Sequence, residues 1–241
     1  MADTDSQKEK GMDVLSRIVG VFASPKETFT DLDRRPTWLL PFIILVVAVI
    51  AMQLLIHDIS IQDNLARIEA SGRLTQEQLD ARQAQLSGPA SYIGLVFSPI
   101  GILFVWCVMA GLLLFGGNTI LGGSSTFKKM LALVSWSSLI GIISMVINII
   151  LILSEGTSQG VTISPAYFLP AAPLGEAPPV LYRFLSKFDP FTIWQMVLWT
   201  IGVSVMYKFT VKKSALFVGT LWVLWILLSV ALGGLFYKIG M

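Results

Sequence analysis

Phe115-Gly116-Gly117-Asn118-Thr119-Ile120-Leu121-Gly122-Gly123-Ser124-Ser125-Thr126-Phe127-Lys128-Lys129 is the stretch on which the fold turns. A long apolar run ends on it and another begins within a few residues. It holds four of the twenty glycines, which supply the backbone freedom that a tight reversal needs. Its lysine pair fixes the side on which the reversal sits. A phosphate-loop reading fails here. Gly117 and Gly122 have the right gap, but the next position, which must be lysine to reach phosphates, is Gly123.

Working outward, 54% of the 241 residues are apolar and only 13% are charged, about half the charge of an ordinary soluble domain. Crossing hydrocarbon takes roughly 20 apolar helical residues. Five runs qualify: Trp38 to Ile56, Ser91 to Gly117, Met130 to Leu153, Phe191 to Phe209, and Ala215 to Tyr237. None alternates strictly with period two, so an all-α, five-span membrane protein is expected rather than a barrel. Pro99 lies in the first half of the second run and predicts a kink or tilt there. The first 37 residues are too polar for a cleaved leader, so the first span is expected to act as its own insertion signal.

Before the spans, residues 1–10 read as a disordered tail and 11–35 as cytoplasmic interfacial helices. Met12 to Phe22 splits on a helical wheel, with Asp13, Ser16, Arg17 and Gly20 on the polar half and apolar residues on the other. That pattern predicts an amphipathic helix in the membrane plane, with lipids as its partner. Ser24, Pro25 and Glu27 have the spacing of a capping box that starts a second short helix, with Phe29 and Leu32 as its apolar contacts. Within the membrane unit, 36–241, two loops are large. Residues 57–90 read as a helical hairpin, with capping-box spacing at Thr75 to Gln78 and a break at Ser71-Gly72. Residues 154–190 carry six of the eleven prolines, which forbids regular structure until about Val180. Asp189-Pro190 then caps the fourth span.

With the N-terminus inside, cytoplasmic segments carry eleven Lys and Arg and outer segments six, so the chain is expected N-in and C-out. Both large loops then lie outside. No basic cluster with interleaved aromatics marks a nucleic-acid partner. The lone Cys107 sits inside an apolar run, and the pairing of His57 with Asp58 reads as an interfacial polar pair. The spans hold no ionisable residue away from their ends, which excludes the groups an intramembrane enzyme or proton-coupled carrier would need. No catalytic, cofactor or metal residues are assigned. The intramembrane polar groups are Ser135, Ser138, Asn148 and Gln195, read as helix packing contacts with a solute path as the alternative.

Four blocks carry a family resemblance: SPKETF at 24–29, GGSSTFKKMLALVSWSSL at 122–139, DPFTIWQMVLWTIGV at 189–203 and KKSALFV at 212–218. The chain resembles the Yip domain family, multi-pass membrane proteins named for Ypt/Rab-interacting proteins, in its bacterial branch. The resemblance implies five spans, a cytoplasmic N-terminus and residence in the bacterial cytoplasmic membrane. Eukaryotic members are tied to small GTPases, but the DLYGP-type block associated with them is missing here, so GTPase binding is not carried over. Some bacterial members look like accessory subunits of ABC-type exporters. The expected function is therefore a non-catalytic adaptor, membrane organiser or accessory subunit that touches lipids and another membrane protein, and forms a homo-oligomer in one version. The alternative is a facilitative transporter or channel for an uncharged or lipid-like solute. A shared cytoplasmic docking surface is expected from Ser24, Pro25, Lys26, Glu27, Phe29, Gly122, Gly123, Phe127, Lys128, Lys129, Lys212 and Lys213.

Overall fold

The computed structural model describes residues 11–239 apart from residue 171, so the 1–10 tail lies outside the described residues. Eleven α-helices occur among them, and no strand. They are α1 (Val14–Ala23), α2 (Pro25–Arg34), α3 (Leu39–Leu55), α4 (His57–Ser71), α5 (Gln76–Leu86) and α6 (Ile93–Phe115). After the glycine corner come α7 (Phe127–Ser137), α8 (Ile140–Glu155), α9 (Val180–Leu185), α10 (Pro190–Tyr207) and α11 (Val211–Ile239). Short 3₁₀ turns stand at Pro89–Tyr92 and Pro165–Phe168.

Each of the five apolar runs is helical, but they are not equivalent. Three segments are long and apolar enough to cross a membrane: Ile93–Ile120, Phe127–Glu155 and Val211–Gly233. A fourth appears if α3 and α4, bent by 63° at their junction, form one broken crossing. The expectation of five plain spans is thus met by three or four. The shortfall has a physical source. Helix α3 is 17 residues long, and α4 beyond the bend carries Asp58, Asp63, Arg67 and Glu69. In α10, 18 residues rise only about 27 Å, and Thr192, Gln195, Thr200 and Ser204 dilute the apolar run.

Helix α10 is also covered. Its exposed large apolar residues are Ile193, Trp194 and Val197, near its start. It packs against α2, α7, α8 and α11, with Leu198, Val203 and Met206 in the core. Helix α2 turns Phe29 and Leu32 into that core and leaves Lys26, Glu27, Thr30 and Arg34 exposed. The side of α10 that a plain span would show to lipid is therefore faced by a helix with a charged outer surface.

The centre of the molecule is α7. Every residue from Met130 to Ile140 is buried, surrounded by α1, α2, α3, α6 and α10. The Trp136 indole donates to the Thr37 carbonyl at 2.8 Å, tying this core to the start of α3. A break at Ser138-Leu139 separates α7 from α8 within one apolar run.

The large loops are clasped together. Helix α5 starts on a complete capping box, Thr75 with Gln78, and α4 ends on Gly72 at φ +61°. The buried Asp63 carboxylate of α4 accepts from the Thr157 hydroxyl at 2.7 Å, from the backbone N–H and hydroxyl of Ser158, and from Gln159. Burial pushes the Asp63 carboxyl up, but the donors on Ser158, Thr157 and Gln159 together outweigh it and hold it below its usual value.

Candidate functional site: the glycine corner and the helices packed on it

At the corner the Gly122–Lys129 stretch meets the Lys212–Lys213 turn through the Lys213–Leu121 bond, and the helix begun by the Ser24–Phe29 block reaches it at its far end, through Asp33. Helix α6 does not stop cleanly. It widens into a π-helical turn over Gly116–Ile120, which puts Gly117 and its neighbours under the end of α10. The Tyr207 ring lies against both Gly117 and Gly123. A Cβ at Gly117 would sit 2.3 Å from its Cζ, and one at Gly123 2.5 Å from its Cδ1. The Tyr207 hydroxyl donates to the Leu113 carbonyl at 3.2 Å. Of the corner glycines, Gly122 alone has a positive φ, +67°. The glycines thus serve two ends: Gly122 turns the chain, while Gly117 and Gly123 let an aromatic ring approach backbone. Asn118 closes the loop, its amide donating to the Ser125 carbonyl and its carbonyl accepting from the Ser125 N–H, both at 3.1 Å.

Thr126 then caps α7, so Lys128 and Lys129 lie in the first helical turn rather than before it. Lys129 pairs with Asp33 at the end of α2 at 2.6 Å. Lys213, in the first turn of α11, donates to the Leu121 carbonyl at 3.0 Å and stands 3.9 Å above the Phe209 ring. Both lysines therefore bind the end of the molecule to itself. Lys128 and Lys212 remain exposed, as do Lys26, Glu27 and Phe127. Phe29 is fully buried and is a core residue, not part of any surface. Ser24 sits at the N-cap of α2 with Pro25 next to it, but its side chain makes no capping bond. Instead its carbonyl accepts from the Thr28 hydroxyl at 3.1 Å.

One group that wheel analysis placed on the polar half is turned inward. Arg17 of α1 is 8% exposed. It pairs with Asp31 at 2.6 Å and donates to the Thr37 hydroxyl at 2.9 Å. A second oxygen of Asp31 accepts from the Met12 N–H at 3.2 Å. This lock holds α1 against α2, antiparallel to it, with Phe22 edge-on to Trp194 at 6.3 Å. A wheel finds which residues share a face; it cannot say which face a neighbouring acid will claim. Asp31, fourteen residues on, was the available signal.

The intramembrane polar groups are spent locally. The Asn148 amide donates to the Ser144 carbonyl at 2.8 Å on its own helix, and Ser135 donates to the Ala132 carbonyl. Ser138 donates to the Val134 carbonyl and accepts from Gln195 at 3.3 Å, an interhelical tie at the α7–α8 break. Among the described residues, no group of His, Cys, Asp and Glu could hold a metal ion.

A family model for the Yip1 domain matches residues 19–233. Among curated proteins, the chain is 27% identical over 188 residues to the membrane protein YknW of Bacillus subtilis (strain 168). That alignment covers 77% of this chain and 76% of the relative. No solved structure matches it. The family model takes in α2 through α10 and most of α11, with the glycine corner, the Tyr207 contact and the buried α7 all inside the match, and the chain belongs to the Yip1 domain family of membrane proteins.

Proposed function

We propose that this protein is a multi-span adaptor or accessory subunit of the bacterial cytoplasmic membrane, N-terminus inside and C-terminus outside. It acts by contact with another membrane protein, an ABC-type exporter being one candidate, and not by catalysis. The observation that carries this reading is the construction of the corner end. Lys129–Asp33, Lys213–Leu121 and the Tyr207 packing bind three separate segments into one frame. Lys26, Glu27, Phe127, Lys128 and Lys212 are exposed on the helices it joins. A surface of mixed charge and one aromatic on rigid elements is what a docking partner can read. The polar groups a solute path would need, Asn148 and Gln195, are already bonded to Ser144 and Ser138, so the transporter alternative gains no support.

Affinity purification in mild detergent with mass spectrometry tests the reading. A recurrent membrane-protein partner is expected, lost when Lys26, Lys128 and Lys212 are all changed to Glu. No reproducible partner, together with a monomer in native mass spectrometry, overturns it. None of the three changes touches a core residue, so loss of binding is not loss of fold.

A further inference from the structure

Helix α1 is built inside out for a helix in water. Its buried residues are Arg17, Gly20 and Val21, while Val14, Leu15 and Val19 are 52%, 70% and 56% exposed. The Arg17–Asp31–Thr37 lock sets this orientation, so the apolar stripe faces outward by construction. The stripe does not stand alone. Phe22 leads it onto Trp194, and beside Trp194 lie the exposed Ile193 and Val197 of α10. Apolar surface is therefore continuous from α1 to a membrane-family helix.

The charges of α1, α2 and the corner at the far end of α10 are sorted as well. Asp31 and Asp33 are neutralised by Arg17 and Lys129. Lys26, Lys128, Lys208 and Lys212 are exposed, against two exposed acids, Asp13 at the N-cap of α1 and Glu27. An outward apolar stripe beside a surplus of exposed lysines matches one occupant: the boundary between acyl chains and anionic headgroups.

We propose that α1 is seated in an anionic lipid leaflet, its Val14–Leu15–Val19 stripe among the acyl chains. The four exposed lysines take the phosphodiester anions, and the Arg17 lock keeps α1 from rolling over. The proposal concerns lipid alone and holds whether or not a protein partner docks on the corner.

The test uses the full chain in nanodiscs, with Cys107→Ser and Leu15→Cys carrying an environment-sensitive fluorophore. Discs hold phosphatidylcholine alone or mixed with phosphatidylglycerol. The label is expected to be quenched by a spin-labelled lipid and shielded from aqueous iodide. Spin-labelled phosphatidylglycerol should quench more strongly than the choline lipid. That preference should fall with salt, and by roughly fivefold per lysine on changing Lys26, Lys128 and Lys212 to Gln, on an attraction of about 1 kcal/mol per cation. Iodide quenching equal to that of a label at exposed Arg82→Cys would overturn the proposal. So would lipid quenching that favours neither headgroup, or shielding seen only in discs holding two copies. Because no partner protein is present, this outcome is separate from that of the docking test.

Discussion

Tyr207 sits where a single added carbon is felt. At Gly117 and Gly123 a methyl group would lie well inside contact distance of the phenol ring, and both glycines belong to a loop pinned by Asn118. Gly117→Ala should lower stability by about 1–3 kcal/mol, as overpacking does, read as a drop in melting temperature of the detergent-solubilised protein. Gly122→Ala should also destabilise, but for backbone reasons, since φ +67° suits glycine. The combination Gly117→Ala with Tyr207→Leu should recover part of the loss, which Gly122→Ala with Tyr207→Leu should not. Asp63 makes the other prediction at this scale. Its folded carboxyl lies below the ordinary value, so its hydrogen bonds add stability above the unfolded carboxylate range of about 4. That contribution is lost as pH falls through the lower folded value. Limited proteolysis of residues 154–179 should accelerate in acid, and Asp63→Asn should show the faster cleavage already at neutral pH.

At the scale of elements, the hairpin of α1 and α2 decides how the N-terminal region behaves. The Arg17–Asp31 pair is nearly buried, and breaking one partner leaves a charge with poor solvation. Arg17→Met should cost roughly 2–4 kcal/mol, less than a wholly buried pair, and should free α1 first. Proteolytic cleavage near Ser24 in detergent is the measurement, and the exchange Arg17→Asp with Asp31→Arg should restore some protection. Element starts were legible where a local bond makes them. Thr75 with Gln78 and Asp189 with the Phe191 and Thr192 amides are capping arrangements readable from spacing alone. Ser24 had the same spacing, yet its side chain makes no cap bond, because a tight link between two packed helices sets its backbone. Spacing offers a cap; packing accepts or declines it.

For the whole molecule, the proposed topology has a direct test. In a Cys107→Ser background, Arg82→Cys should react with an impermeant maleimide added to intact cells, and Lys128→Cys only after permeabilisation. Reversed labelling would overturn the N-in orientation. Composition and periodicity by themselves determined that this is an all-helical membrane protein, where its apolar helices run, and that a glycine corner joins two of them. Those properties follow from hydrocarbon length and helical period, which are local to each run. Only the tertiary structure decided that Met130 to Ile140 is buried on every side, that α10 is sheathed by a charged helix, and that Arg17 faces in while Leu15 faces out. Each of these depends on what one helix meets from another: Asp31 for Arg17, Phe29 and Leu32 for α10, Tyr207 for Gly117. An apolar residue reads the same in a sequence whether lipid or protein will cover it, and that choice is made by the neighbour that arrives.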